Sequence, residues 1–194
     1  LPSGMPPFDF PAFVKPNGDG SSRGVHRDSL VRDMDGLKRK TAAILDNNHG
    51  PVIVEPYLDG RDFCVGILGS NGRVLRTCEV ILGHVDGIRF FSREYKRAET
   101  DRLDMKPSVP QELLDEMERM ALVAWYVIGC RDYARFDFRT DFAGKPYFLE
   151  VNALPGLSPV SGIFIRQAEA SGVSFEKVIS GIFERAEREA SERV

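Results

Sequence analysis

The architecture of this protein is best inferred from residues 135–152, which read RFDFRTDFAGKPYFLEVN. Residues 136–139 and 147–151 are short runs rich in apolar side chains, which is typical of strands. Between them lie residues 141–145, where Gly144 favours a turn. The segment therefore predicts a β-hairpin.

The polar residues of this hairpin follow the alternation of the strands. Arg135 and Asp137 share one face of the first strand, and Glu150 and Asn152 share one face of the second. If the strands pair, three oxygen ligands and a guanidinium converge, and hard oxygen ligands suit Mg²⁺ bound with phosphates. An ordinary amphipathic hairpin with its polar face in water has the same pattern. A functional patch is favoured because Asn is unusual in strands and a stiff Leu-Pro-Gly turn follows at 154–156.

Other strands are predicted on the amino-terminal side of this hairpin. They are short apolar runs bounded by Gly, Pro, Asp or Asn, and they cover residues 12–14, 52–54, 63–68 and 74–81. The Asn71-Gly72 pair between the last two predicts a second hairpin.

Helical spacing of apolar residues is clearest at 113–127, where Ser108 and Gln111 suggest a capping box and Gly129 a carboxyl-terminal cap. A second helix is predicted from Ser174, and a weaker one between 28 and 46 with an interruption near Gly36. Hairpins and separate helices, without regular βαβ alternation, predict an α+β fold.

A glycine-rich loop follows the first predicted strand, in the sequence FVKPNGDGSSRGV at residues 13–25. Lys15 at the strand end and the backbone N–H groups of the loop can meet phosphate oxygens. The loop lacks the Walker motif and misses the dinucleotide-binding spacing by one residue. A flexible hairpin tip explains the loop, read alone, equally well.

The segment VEPYLDGRDF at 54–63 leaves a strand through a proline. Its backbone donors and acceptors can contact the edge of a base, and Asp62 can contact a ribose hydroxyl. A strand followed by a plain turn is the simpler interpretation of this segment alone.

The composition of the chain excludes several classes of protein. The 194 residues carry 26 basic and 29 acidic side chains, a net charge of −3, so no electrostatic footprint for nucleic acid is present. Three widely spaced cysteines argue against a disulfide framework and favour the cytoplasm. No apolar run reaches the length of a membrane span. The chain begins without Met, which predicts that it is a fragment or a processed piece.

Six segments, taken in order, resemble the ATP-grasp superfamily, and specifically the D-alanine–D-alanine ligases and their close relatives. These are Val14-Lys15-Pro16 with the loop 18–24, Glu55-Pro56-Tyr57-Leu58 with Asp62-Phe63, Ile67-Leu68-Gly69, Glu94-Tyr95-Lys96, Arg135-Phe136-Asp137, and Glu150-Val151-Asn152 through Pro155-Gly156-Leu157-Ser158. The resemblance implies an ATP-grasp fold in which two α+β subdomains with antiparallel sheets clamp ATP.

The resemblance also implies residue roles. The residues that match ATP-binding positions are Lys15 and Lys96 at the phosphates, Ser21 and Ser22 over the γ-phosphate, Glu55, Tyr57 and Leu58 at the adenine, and Asp62 at the ribose. Asp137, Glu150 and Asn152 match the Mg²⁺ ligands, with Mn²⁺ as an alternative ion. Arg135 matches the arginine that stabilises the transferred phosphoryl group, and Ser158 and Ser161 match the site for the carboxylate of the second amino acid.

The resemblance predicts an enzyme that joins two amino acids through an acyl phosphate in peptidoglycan precursor synthesis. Residues 1–60 are expected to be part of the central subdomain and 61–194 the carboxyl-terminal subdomain, and we expect the family's amino-terminal domain to be absent. ATP and amino acids are the expected partners, and the full-length protein could form a homodimer. Two alternatives stay open: an ATP-grasp ligase of peptide natural products, and a non-catalytic nucleotide-binding fragment.

Overall fold

A computed structural model describes residues 9–18, 20, 22–47, 50–82, 90 and 102–191. The chain divides into two compact units: Leu1–Asp59 with Leu82–Asp101, and Gly60–Ile81 with Arg102–Val194. The predicted boundary after residue 60 differs from this division, because the prediction assigns residues 82–101 to the second subdomain and the structure groups them with the first unit. The assignment of residues 1–60 and 61–194 to two ATP-grasp subdomains stays a prediction.

The first unit is built on a three-stranded antiparallel sheet in the order β2-β1-β3. Its strands are β1 (Ala12–Pro16), β2 (Leu30–Val31) and β3 (Val52–Pro56), and a 3-10 helix covers Arg27–Ser29. Helix α1 (Met34–Asp46) begins where the Asp33 carboxylate accepts a hydrogen bond of 2.7 Å from the Gly36 N–H. The helix buries Leu37 and Ile44 against Ala12 and Val14 of the sheet. One face of this sheet is therefore core.

The second unit contains a six-stranded antiparallel sheet in the order β7-β6-β4-β8-β9, with β5 paired to β4. The strands are β4 (Asp62–Leu68), β5 (Arg73–Val74), β6 (Cys78–Ile81), β7 (Arg102–Asp104), β8 (Tyr133–Thr140) and β9 (Pro146–Asn152). The helices are α2 (Gln111–Ile128), α3 (Ile163–Ala170) and α4 (Phe175–Ser191).

Alternation along the strands gives this second sheet two different faces. On one face, Met117, Ala121 and Trp125 of α2 pack on alternate residues of β4 and β8, including Phe63 and Phe136. On the opposite face, α3 and α4 form a second apolar cluster that reaches Leu68 and Tyr133, a directly paired couple at one end of the sheet. The charged residues of β8 lie further along that opposite face.

A β-bulge in β9 keeps this division of faces intact. Asp137 pairs with Glu150 and Phe138 pairs with Phe148, so Leu149 is the extra residue. The Phe148 ring contacts Phe138, with centroids 5.6 Å apart, on the face that α2 covers. Glu150 therefore lies beside Asp137, on the face that α2 does not cover.

The α+β fold with antiparallel hairpins is confirmed. Both predicted hairpins form: β4 pairs with β5 around Gly69–Gly72, and β8 pairs with β9, where the Asp141 N–H donates to the Lys145 carbonyl. The helix predicted at 113–127 ends at Gly129 in the left-handed region, with φ of 76°. The helix predicted from Ser174 begins at Phe175, and Val173 and Val178 are buried in one cluster as a staple requires.

Several local predictions are wrong. The capping box does not form, because α2 follows Pro110 at its N-cap and Ser108 lies outside the helix. The weaker helix begins only at Met34, so residues 28–33 are not part of it, and it continues through Gly36 without the predicted interruption. The strand predicted at 74–81 splits into β5 and β6, because the Gln167 amide of α3 bonds the Arg76 carbonyl at 3.0 Å in the gap. Helix α3 was not predicted. No helix in the part of the chain that is described has the length and apolar content to cross a membrane.

Candidate active site

The second unit brings four predicted site residues onto one face. Asp137 lies directly opposite Glu150, and Arg135 directly opposite Asn152, on the paired strands β8 and β9. The pairing that the sequence left conditional therefore exists. All three candidate oxygen ligands occupy neighbouring positions beside the guanidinium of Arg135.

Arg135 and Asp137 form a two-fold hydrogen-bonded ion pair along the same strand. The Nε and Nη2 atoms of Arg135 each donate to a different oxygen of Asp137, at 2.7 Å and 2.7 Å. Burial alone lowers the pKa of Arg135, but its hydrogen bonds to Asp137 and the nearby charge of Glu150 raise that pKa above the ordinary value. The guanidinium therefore stays charged at the site.

The candidate metal ligands combine two carboxylates with an amide. Glu150 is exposed, and the Asn152 Oδ1 atom accepts a hydrogen bond of 3.2 Å from the Leu154 N–H in the turn that follows β9. Within the described ranges, no group of three His, Cys, Asp or Glu side chains is arranged to hold a metal. The predicted ligands Asp137, Glu150 and Asn152 do not form such a group, because the third ligand is the amide oxygen of an asparagine.

Asp62 lies on the same face, at the start of β4, in a buried ion pair. Its Oδ2 atom accepts from Arg139 Nη1 at 2.7 Å, and the two side chains are 12% and 7% exposed. Burial raises the pKa of Asp62 to about 6, although the charge and hydrogen bond of Arg139 oppose the rise. Sequence reasoning missed Arg139. Its position two residues after Asp137 and four after Arg135, on the same strand face, was the available signal.

In the first unit, Lys15 Nζ lies 2.8 Å from Glu55 Oε1. Glu55 pairs with Phe13 across β1 and β3, so both charged residues lie on the sheet face opposite α1. The Tyr57 N–H donates to the Pro11 carbonyl at 3.2 Å, so this backbone donor is engaged within the unit. The ring of Tyr57 packs edge-on against Phe90, with centroids 6.5 Å apart.

The glycine-rich loop is described only in part. Ser22 has φ of 58° and Gly24 has φ of 70°, and the Val25 N–H donates to the Ser22 carbonyl at 3.2 Å. A Cβ atom at Gly24 would lie 2.5 Å from Cγ of Pro16, so glycine is required there. Ser21 and Lys96, both predicted ATP contacts, lie outside the described residues.

Ser158 and Ser161 meet in the loop before α3. The Ser158 hydroxyl oxygen accepts from the Ser161 N–H and from the Ser161 hydroxyl, each at 3.1 Å. A Cβ atom at Gly162 would lie 2.6 Å from the Ser158 carbonyl oxygen, so the tight turn depends on glycine. Both serines are exposed, as a substrate contact requires.

Comparison with known proteins identifies the family of the chain. Residues 5–184 match the family model described as D-ala D-ala ligase C-terminus. The chain belongs to this family. The D-alanine–D-alanine ligase resemblance inferred from the six segments is thereby confirmed, and so is the ATP-grasp fold class.

The ligase family relatives cover nearly all of this chain. It is 33% identical over 177 residues to a D-alanine–D-alanine ligase of Pediococcus pentosaceus, covering 90% of this chain and 47% of that protein. It is 34% identical over 185 residues to a D-alanine–D-alanine ligase of Oleidesulfovibrio alaskensis, covering 92% and 55%. The crystal structure of the Bacillus anthracis D-alanine–D-alanine ligase complexed with ATP superposes with a TM-score of 0.72 at 25% identity, covering 95% and 55%. The chain thus spans about half the length of these relatives.

Proposed function

We propose that this protein is an ATP-dependent carboxylate–amine ligase of the D-alanine–D-alanine type, which makes a dipeptide precursor of peptidoglycan in the cytoplasm. The observation that carries the proposal is the β8–β9 register, which pairs Asp137 with Glu150 and Arg135 with Asn152. Membership of the ligase family supports it. An ATP complex is known for the related Bacillus anthracis enzyme, which supports ATP as the nucleotide.

The reaction requires activation of a carboxylate, which is a poor acyl donor. A carboxylate oxygen of the first amino acid attacks the γ-phosphorus of ATP, and ADP leaves. The amine of the second amino acid then attacks the acyl carbon, its proton is lost, and phosphate leaves. Negative charge develops on oxygen in both steps, so fixed cations placed beside those oxygens accelerate both.

Arg135 is proposed to stabilise this developing charge. Its side chain is 18% exposed and held by Asp137, so its position is fixed before substrate arrives. Lys15 is proposed to meet the ATP phosphates, together with Lys96 and the loop serines Ser21 and Ser22. A fixed charge such as that of Arg135 needs no reorganisation at the moment of reaction.

Asp137, Glu150 and Asn152 are proposed to hold Mg²⁺, or Mn²⁺ in its place. The residues fit such an ion because all three supply oxygen donors at neighbouring positions of one sheet face. Arg135 uses one lone pair of each Asp137 oxygen, and each oxygen keeps another. When bound, the ion would neutralise charge on the phosphate oxygens.

The remaining contacts are proposed for the base, the ribose and the second amino acid. Glu55, with the backbone at Tyr57 and Leu58, would meet the adenine, and Asp62 a ribose hydroxyl. Ser158 and Ser161 would hold the carboxylate of the second amino acid. The Ser158 oxygen accepts from Ser161, so its own O–H can still donate to that carboxylate.

The experiment is product analysis with the full-length protein encoded by the gene, incubated with ATP, Mg²⁺ and D-alanine. We expect ADP, phosphate and a D-alanyl dipeptide in equal amounts by mass spectrometry. Other amino acids, tested in parallel, identify a ligase of different substrate choice. ATP binding without an amide product from any amino acid would refute the proposal and favour a non-catalytic nucleotide-binding module.

A further inference from the structure

Arg139 is a buried arginine that faces the candidate site without being one of its predicted residues. It lies on β8 directly opposite Asp62 of β4, and its side chain is 7% exposed. A side chain this deeply buried presents little surface to a ligand. Its Nη1 atom lies 2.7 Å from Oδ2 of the Asp62 carboxylate.

We propose that Arg139 is a positioning residue for nucleotide binding: it holds the Asp62 carboxylate in the orientation in which the second carboxylate oxygen accepts a hydrogen bond from a ribose hydroxyl. The inference rests on the proposed function, because it takes ATP as the ligand. It adds a residue that acts through Asp62 rather than by touching the nucleotide.

The geometry of the pair supports this role. Arg139 binds Oδ2 of Asp62, and no residue in the described part of the chain donates to Oδ1. A carboxylate accepts hydrogen bonds at both oxygens, so the second oxygen keeps its capacity for a ligand hydroxyl. The pair joins two paired strands of the sheet, which restricts rotation of the Asp62 side chain.

The surroundings of Asp62 explain why a cation is needed. Its cross-strand neighbour on β6 is the apolar Val80. Burial is the main cause that raises the pKa of Asp62, and the charges of Asp137 on β8 and Glu79 on β6 raise it further. Arg139 is the group that opposes this rise. Without it, Asp62 would take up a proton more readily and lose the charge that makes it a strong acceptor.

Stability alone is a weak explanation for the pair. Removing two charges from water is costly, and apolar residues of similar size often replace buried ion pairs without loss of stability. A role in binding predicts a different result. Replacing Arg139 should then weaken recognition of the ribose hydroxyls, and not only the stability of the fold.

The test compares the binding of ATP, 2′-deoxy-ATP and 3′-deoxy-ATP to the full-length protein encoded by the gene. The wild type should favour ATP over at least one deoxy analogue by about tenfold, the effect of one hydrogen bond to a charged acceptor. Arg139→Met should reduce this ratio to about one, and Arg139→Lys should restore part of it. Arg119→Met, at an exposed position of α2, is the matched control and should keep the ratio.

A double-mutant cycle shows whether Arg139 acts through Asp62. Asp62→Asn should lose the same discrimination, and Asp62→Asn combined with Arg139→Met should be no worse than Asp62→Asn alone. If Arg139→Met lowers the melting temperature but keeps the wild-type ratio, the pair is structural and the proposal is overturned. If Arg139→Met does not fold, Arg139→Lys and Asp62→Asn still measure the ratio.

Failure of the proposed function would look different. A wild type that binds no ATP refutes that function before any variant is made. A wild type that binds ATP and both deoxy analogues equally leaves the function intact and refutes the role of Arg139.

Discussion

Lys15 Nζ and Glu55 Oε1, on adjacent strands of the first unit, are 2.8 Å apart, so two residues proposed for opposite ends of ATP contact each other. The pair is about one quarter to one third exposed, and solvent therefore weakens it. A phosphate group can compete for the lysine at low cost.

The two members of this pair should have separable effects on binding. Lys15→Met should weaken ATP by about tenfold or more and leave adenosine unchanged, because the lost cation meets phosphates. Glu55→Gln should weaken adenosine and ATP by similar factors, because the lost carboxylate meets the base. Isothermal titration with both ligands measures this. Equal loss of adenosine binding in Lys15→Met would contradict the assignment.

The two carboxylates of the proposed metal site should differ in their effect on stability. Glu150→Gln and Asp137→Asn should both abolish amide formation. Asp137→Asn should also lower the free energy of unfolding by about 1–3 kcal/mol, because it leaves the partly buried Arg135 without its ion-pair partner. Glu150→Gln should change stability little, since Glu150 is exposed.

Urea denaturation and product analysis on the same samples separate the two effects. Glu116→Gln, at an exposed position of α2, is the control and should retain full activity. Undiminished turnover in Glu150→Gln at saturating Mg²⁺ would remove Glu150 from the metal site.

Asp62 should make stability fall as the pH rises. Its pKa of about 6 in the folded protein exceeds the value of about 3.9 for an unfolded chain, so the folded state binds more protons between these two pH values. The unfolding free energy of the wild type should therefore decrease by up to about 3 kcal/mol, relative to Asp62→Asn, from pH 4 to pH 7. Chemical denaturation across this range measures the difference. A difference that is constant with pH would show that burial does not raise the pKa of Asp62.

Glycine substitutions should have opposite effects at two positions. Gly24→Ala should lower the unfolding free energy by about 1–2 kcal/mol or more, because residue 24 has φ of 70° and its Cβ atom would approach Pro16 to 2.5 Å. Gly181→Ala in α4 should raise it by about 0.5–1 kcal/mol, since no described atom lies within 4 Å of the added carbon and alanine favours helix. Thermal unfolding of both variants tests this, and a stable Gly24→Ala protein would contradict the described turn.

Local sequence signals predicted the hairpins well, because Gly144 and the Asn71-Gly72 pair favour turns between alternating strands. They missed Arg139, because its role depends on register with Asp62, a residue 77 positions earlier. Helix α3 was missed because Gly162 gives it no side-chain cap and it is only eight residues long. The break between β5 and β6 is set by Gln167, which bonds Cys64 and Arg76 across the sheet. Long-range packing decides these features.

The bulge at Leu149 also has a consequence for variation in chain length. Because Leu149 is the residue left over in the β8–β9 pairing, its removal would leave a regular ladder in which Glu150 still faces Asp137 and Phe148 still faces α2. Loss of Val151 instead would turn one of the two proposed metal ligands of β9 toward the apolar side. We therefore expect natural relatives to tolerate loss of the residue at position 149 and to retain the residue at position 151.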